Sequence, residues 1–214
     1  MAIPLLTLLV NPNAFFSRDA SEWEPLRVPA LIVLVAAILA GAMAYLTTDL
    51  VAGIMPSEVQ AYQGVMGIAG TAFAVVGTFV IWVVWAAVFY VISLIFQGQG
   101  TFRRILAATG YGYLPILIGS VISLVIFWIF SPGIHVSSVT NVQEIQAAVT
   151  ALMHEPVMIL ATLLGLIFML WAANIWIFGV RHARVLSLRD AAITVGIPVA
   201  LYVIATVWRL GVAG

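Results

Sequence analysis

The chain has 214 residues, 64% of them hydrophobic and only 7% charged, against roughly 45–50% and about 25% in soluble domains. With a mean hydropathy of +1.19, this excludes a water-soluble globular fold. The net charge is zero, the eight fixed positive charges are all arginine, and cysteine is absent. Nucleic-acid binding, disulfides and thiolate chemistry are thereby excluded.

Residues 1–27 read as a separate N-terminal segment. Met1–Phe16 is too short to span a bilayer and lacks the basic flank of a signal peptide. Broken by Pro4 and Pro12, it is expected to lie at the membrane interface. Ser17–Pro25 carries Arg18, Asp19, Glu22 and Glu24, which belong in water.

Residues 28–210 read as one membrane domain. A helix needs about 20 apolar residues to cross the roughly 30 Å hydrocarbon layer. Five stretches qualify, near 28–48, 68–96, 105–130, 157–180 and 191–208. Their continuous apolar character, without period-two alternation, predicts helices and not barrel strands. The expected fold is all-α, a polytopic integral membrane protein with five transmembrane helices and an N-terminal interfacial segment. Between the first two spans, Pro56-Ser57-Glu58 reads as a weak helix start. In the loop Ser131–Pro156, Thr140-Asn141-Val142-Gln143 reads as a capping box. Ile145, Val149 and Leu152 follow at helical spacing, predicting a short amphipathic helix.

Orientation follows from the arginines. Seven of the eight (Arg18, Arg27, Arg103, Arg104, Arg181, Arg184 and Arg189) fall on one side of the five spans. Arg209 falls on the other, with Asp49, Glu58, Glu144 and Glu155. The positive-inside rule places the N-terminus in the cytoplasm and the C-terminus outside, in the cell membrane if the source is prokaryotic. Arg103, Arg104, Arg181, Arg184 and Arg189 then form a candidate cytoplasmic basic face. The lipid bilayer is one expected partner, and cytosolic or membrane proteins at that face are another class. Self-association is left open.

Within the third span, Thr109-Gly110-Tyr111-Gly112-Tyr113-Leu114-Pro115 invites comparison with a potassium-channel filter. The valine of that filter is missing, and the run continues as one full span close to Arg103-Arg104. A kinked, closely packed helix is the better reading. Pro115 removes a hydrogen bond to the Tyr111 carbonyl, and Gly110 and Gly112 let a neighbour approach. The freed carbonyl is expected to find the Thr109 hydroxyl or a neighbouring helix. Gly196 and Pro198 repeat this layout in the fifth span, so the third and fifth spans are expected to lie together.

Asn174, an amide deep in the fourth span, is expected to bond across helices, with a substrate contact as the alternative. Trp82, Trp85, Phe89 and Phe96 form an aromatic stripe suited to packing or lipid. Trp85-Ala86-Ala87 matches Trp171-Ala172-Ala173, which suggests a parallel repeat of two helical hairpins. His135, His154, Glu144 and Glu155 share no zinc-like spacing, so neither metal nor other cofactor is expected.

The pattern resembles the Yip family, the Ypt/Rab-interacting membrane proteins, in a short prokaryotic-type form. The resemblance rests on Asn11-Pro12 with Phe15-Phe16 before the first span and on the five spans. It rests also on Gly98-Gln99-Gly100-Thr101-Phe102-Arg103-Arg104 and on Gly110-Tyr111-Gly112-Tyr113-Leu114-Pro115. The chain differs from eukaryotic members in its short segment ahead of the first span. The resemblance implies membrane organisation or trafficking and no enzymatic reaction.

Three functions compete: a non-enzymatic scaffold that organises membrane or recruits partners, a small solute or ion permease or channel built from two parallel helical hairpins, and an intramembrane enzyme. The last lacks a catalytic constellation, since no His or Lys lies near Ser120 or Ser123 in sequence. Topology is directly testable in this cysteine-free chain. Single cysteines at Ser137 and Ser187, treated in intact cells with an impermeant thiol reagent, should be labelled only at Ser137. Labelling at Ser187 alone reverses the assignment.

Overall fold

The computed structural model describes residues 5–56, 60–133, 139 and 142–212, and among these there is no strand. Three short helices open the chain: α1 (Leu5–Val10), α2 (Pro12–Phe16) and α3 (Ala20–Trp23). Five long helices follow: α4 (Arg27–Ile54), α5 (Gln63–Ile95), α6 (Phe102–Phe130), α8 (Pro156–Arg184) and α9 (Leu188–Val212). A shorter helix, α7 (Val142–Met153), joins α6 to α8. The five long helices are each apolar and long enough to cross a membrane, so the chain is a multi-pass integral membrane protein.

Each long helix outruns its apolar stretch. The longest, α5, has 33 residues and the shortest, α9, has 25. At 1.5 Å per residue these reach about 50 and 38 Å, beyond the roughly 30 Å of hydrocarbon. Hydropathy registers only the lipid-embedded part. The helical hydrogen bonding continues past it and carries Asp49, Arg103, Arg104, Arg181, Arg184 and Arg209 outward on helix ends. Because successive long helices reverse direction, one end of the bundle gathers Arg27, Arg103, Arg104, Arg181, Arg184 and Arg189. The opposite end holds Asp49, Glu144, Glu155 and Arg209.

At the centre stands α6, packed against α4, α5 and α8. Its run Ala107–Tyr113 is buried throughout. Lipid tails are as apolar as the side chains, so close van der Waals packing and hydrogen bonds, not water expulsion, hold such helices together. Small residues on α6 meet that need.

Helix α9 departs from the expected position. It packs against α8 and α5 and has no principal interface with α6. Gly196 has nothing within 4 Å of a Cβ built on it, Pro198 is half-buried, and a cavity lined by both helices opens between α6 and the far part of α9. A Gly-Pro pair relaxes a helix without deciding which neighbour it meets.

The amphipathic helix predicted from Ile145, Val149 and Leu152 is α7, with Leu152 buried. Thr140 and Asn141, with the Gln143 side chain, and also Ser57, Glu58 and His135, lie outside the described residues. The tryptophans of the suspected repeat have unlike surroundings. Trp85 packs 5.3 Å from the Trp176 ring, whereas Trp171 is 37% exposed and donates to the Leu9 carbonyl.

Candidate functional site at the arginine-bearing end

The N-terminal segment is wedged into the bundle and not merely laid on it. Asn11 caps α2, its side chain accepting the Ala14 N–H at 3.0 Å, and Pro12 opens the helix where a missing N–H costs nothing. This short helix aims Phe15 and Phe16 inward, both nearly fully buried. Phe15 packs edge-on 5.1 Å from Tyr111, and Phe16 packs edge-on 5.3 Å from Trp23. Leu8 is buried beside them, while Leu6 and Val10 of α1 face outward. Asp19 caps α3, and the Ser21 N–H on its carboxylate holds the carboxyl below its usual pKa.

Polar contacts fasten the wedge. The Asn13 amide oxygen accepts from Arg181 at 3.2 Å and faces His182 Nε2 at 3.0 Å. Glu24 pairs with Arg104 at 3.2 Å. Both groups of the pair are partly exposed, so its strength is modest.

Beneath the wedge, two indoles cross to α6. Trp82 of α5 donates to the Leu106 carbonyl at 3.0 Å, and Trp176 of α8 donates to the Thr109 carbonyl at 2.8 Å. Glycine makes both approaches feasible. A Cβ on Gly110 would lie 2.6 Å from Pro29 Cβ and 3.1 Å from the Trp82 indole nitrogen. A Cβ on Gly112 would collide with the Trp176 ring. The Thr109 hydroxyl turns back to the Ile105 and Leu106 carbonyls at 2.9 and 3.0 Å, away from the Tyr111 carbonyl that Pro115 frees. That is the usual geometry of a helical threonine, whose side chain reaches the preceding turn.

The connection between α5 and α6 is built around Arg184. This side chain is 2% exposed. Its Nε donates to the Ser93 hydroxyl at 2.9 Å, and its terminal nitrogens donate to the carbonyls of Gly98 and Gly100. The guanidinium lies 4.5 Å from the centre of the Tyr90 ring. Among the described residues no carboxylate pairs with it. Its charge is met by carbonyls and by the C-terminal ends of α5 and α8, where helix dipoles favour cations. Gly98 fits because a Cβ there would press on Ser93 O at 2.9 Å and on Arg184 Nε at 3.1 Å. Gly100 adopts a φ of +103°, and a Cβ there would strike the Ala183 carbonyl. The Gln99 N–H closes the loop onto the Arg184 carbonyl at 2.8 Å.

The five candidate arginines therefore divide. Arg103 and Arg189 are exposed. Arg104 and Arg181 hold the N-terminal segment, and Arg184 is an internal strut, not part of a face. Sequence reading missed that role, although Gly98-x-Gly100 marks a backbone that something approaches closely. Gly110, Tyr111, Gly112, Tyr113 and Pro115 share the buried core of α6. The Tyr111 hydroxyl and the Trp23 indole N–H are buried there without a partner among the described residues. Among the described residues Asn174 forms no hydrogen bond across helices. It faces outward in a shallow groove with Gly196 and Ala200, because the inward positions of that turn go to Ala172, Ala173, Ile175 and Trp176. Among the described residues no cluster of three His, Asp or Glu could hold a metal.

A family model described as the Yip1 domain matches residues 6–209. The chain belongs to the Yip1 domain family. The match takes in the α2 wedge as well as all five long helices, so the wedge is part of the Yip1 unit. An uncharacterized protein of the archaeon Methanocaldococcus jannaschii is 34% identical over 120 residues, covering 56% of this chain and 85% of the relative. No solved structure matches.

Two predictions test this Yip1 core. Gly112→Leu should lower the melting temperature in detergent more than Leu124→Ala, since overpacking costs about 1–3 kcal/mol or more. A parent-like melt of Gly112→Leu would mean that Trp176 does not sit on that glycine. Arg184→Ala should also destabilise strongly, because each buried carbonyl left without a donor costs about 1–3 kcal/mol. Arg184→Lys should recover only part of the loss, having no planar fork to serve two carbonyls and a hydroxyl together. Full rescue by lysine would reduce the strut to a simple charge.

Proposed function

We propose that this Yip1 protein is a non-enzymatic membrane scaffold whose arginine-bearing end lies in the cytoplasm and recruits a partner of acidic surface there. The observation that carries this reading is the locking of that end by the N-terminal wedge and by the Arg184 strut. Arg103 and Arg189 are left exposed on a platform whose supporting groups are bonded and buried. Exposed charge on fixed elements suits recognition of an oppositely charged surface. The excess of arginine supports the cytoplasmic assignment.

The middle of the bundle argues in the same direction. Trp85, Phe89, Tyr113 and Trp176 pack at tilted and edge-on angles between the locked end and the rest of the bundle, with ring centres 5.3 to 6.4 Å apart. No Asp, Glu, Lys, Arg or His falls at mid-span, where proton and ion pathways usually place one. Ser120 spends its hydroxyl on the Ile116 carbonyl at 2.9 Å, which disfavours an intramembrane nucleophile. The permease reading has one observation in its favour, the cavity in the opposite half of the bundle.

A photo-crosslinker at position 103 in cells should give discrete protein adducts that Arg189→Glu weakens, above the background of a crosslinker at Gln146. Reconstituted vesicles carrying a pH dye should show no protein-dependent, substrate-driven pH change. Adducts indifferent to the charge reversal sink the recruiting face, and a pH change promotes the permease.

A further inference from the structure

A cavity of about 890 Å³ opens in the half of the bundle away from the arginine cluster, walled by α4, α6, α8 and α9 and covered by the end of α7. Its size lies within the roughly 300–1,000 Å³ of ligand pockets. From Ile116 to Phe127 its lining follows α6 for about 16 Å, close to half of the roughly 30 Å hydrocarbon layer. The cavity is thus one leaflet deep. Leu39, Ile116 and Phe168 line its mid-membrane end, and Arg209 and His154 lie toward its outer end. Among the described residues α4 and α9 share no principal interface, and α5, which packs against both, contributes no residue to the cavity wall.

The polar groups are arranged for an amphiphile. Thr47, Ser120, Thr162 and Thr206 donate their hydroxyls to carbonyls of their own helices, so four of the hydroxyls along the walls are already satisfied. At the outer end one strong donor is uncommitted among the described residues. Arg209 is exposed and forms no ion pair among the described residues. His154 Nδ1 lies 2.7 Å from the Thr150 carbonyl and so carries a proton. Its Nε2 is buried, with no hydrogen-bond partner among the described residues. Among the described residues no acidic side chain lines the cavity.

We propose that this cavity binds a membrane lipid with an anionic phosphate head group, its chains lying along Ile116–Phe127 and its phosphate meeting Arg209. Arginine presents a planar fork of donors that matches phosphate oxygens. The same fork would accept a free phosphate, and the chains distinguish the two sources.

The test is native mass spectrometry of the detergent-purified full chain, titrated separately with dioleoyl phosphatidylglycerol and with glycerol phosphate. One phosphatidylglycerol should be retained per chain, and glycerol phosphate should neither bind nor displace it. Arg209→Gln should weaken retention about tenfold or more, as expected for loss of a charge-assisted hydrogen bond. Ser123→Phe, which fills the wall while leaving Arg209 in place, should abolish retention. Arg18→Gln, at the other end, should bind as the parent does, and melting temperatures establish that each variant is folded. Equal retention by folded Arg209→Gln and Ser123→Phe would reduce the lipid to non-specific annular contact and overturn the proposal. Binding of glycerol phosphate that survives Ser123→Phe would overturn it in favour of a free-anion site.

Discussion

Two indoles donate across helix boundaries to backbone carbonyls of α6, at glycines where any side chain would displace them. Such bonds are individually small in a membrane, about 0.6–2 kcal/mol. Their importance lies in where they bring the helices. With Trp82 and Trp176 seated on Gly110 and Gly112, α5 and α8 approach α6 from separate directions. Pro29 of α4 closes on Gly110 from a third. Three of the other four long helices are thereby set around one short run of α6. The same proximity lets Phe16 reach both Trp23 and Tyr111. The N-terminal wedge has a socket because the helices around α6 leave one.

Arg184 does for the polar end what the indoles do for the apolar centre. A buried guanidinium without a carboxylate is costly unless its donors are met. Here three acceptors and an aromatic ring meet them, two of the acceptors being backbone carbonyls of a glycine connection. This orders the link between α5 and α6 against the end of α8. The Gly98-Gln99-Gly100 segment and the Gly110–Pro115 segment, which look like separate signatures in the sequence, thus serve adjoining layers of one packing arrangement.

The molecule is asymmetric along its axis. At the arginine-bearing end, buried side chains, caps and a latched loop tie the helices together. In the opposite half, α9 stands apart from α6 and α4 and a cavity lies between them. The proposed recruiting face and the proposed lipid site are compatible at opposite ends, because the close-packed aromatic layer between them lets each end keep its own chemistry.

The number of membrane-crossing helices, their order and the gathering of arginines at one end were legible in the sequence. Apolar length and charge placement are local properties, and the solvent judges them segment by segment. The family was legible as well, through Asn11-Pro12, the glycine connection and the glycine-tyrosine run. The glycines of α6 could be read as packing sites, since glycine inside a buried helix has few other uses. Only the tertiary structure decided which partners those glycines admit, that Arg184 points inward while Arg103 and Arg189 stay exposed, and that Asn174 faces outward. It also decided that α9 stands away from α6, leaving a cavity. These outcomes depend on helix rotation and neighbour choice. In hydrocarbon, nearly every face of an apolar helix is equally acceptable to the solvent, so hydropathy carries no record of which face meets protein; shape and a few hydrogen bonds settle it.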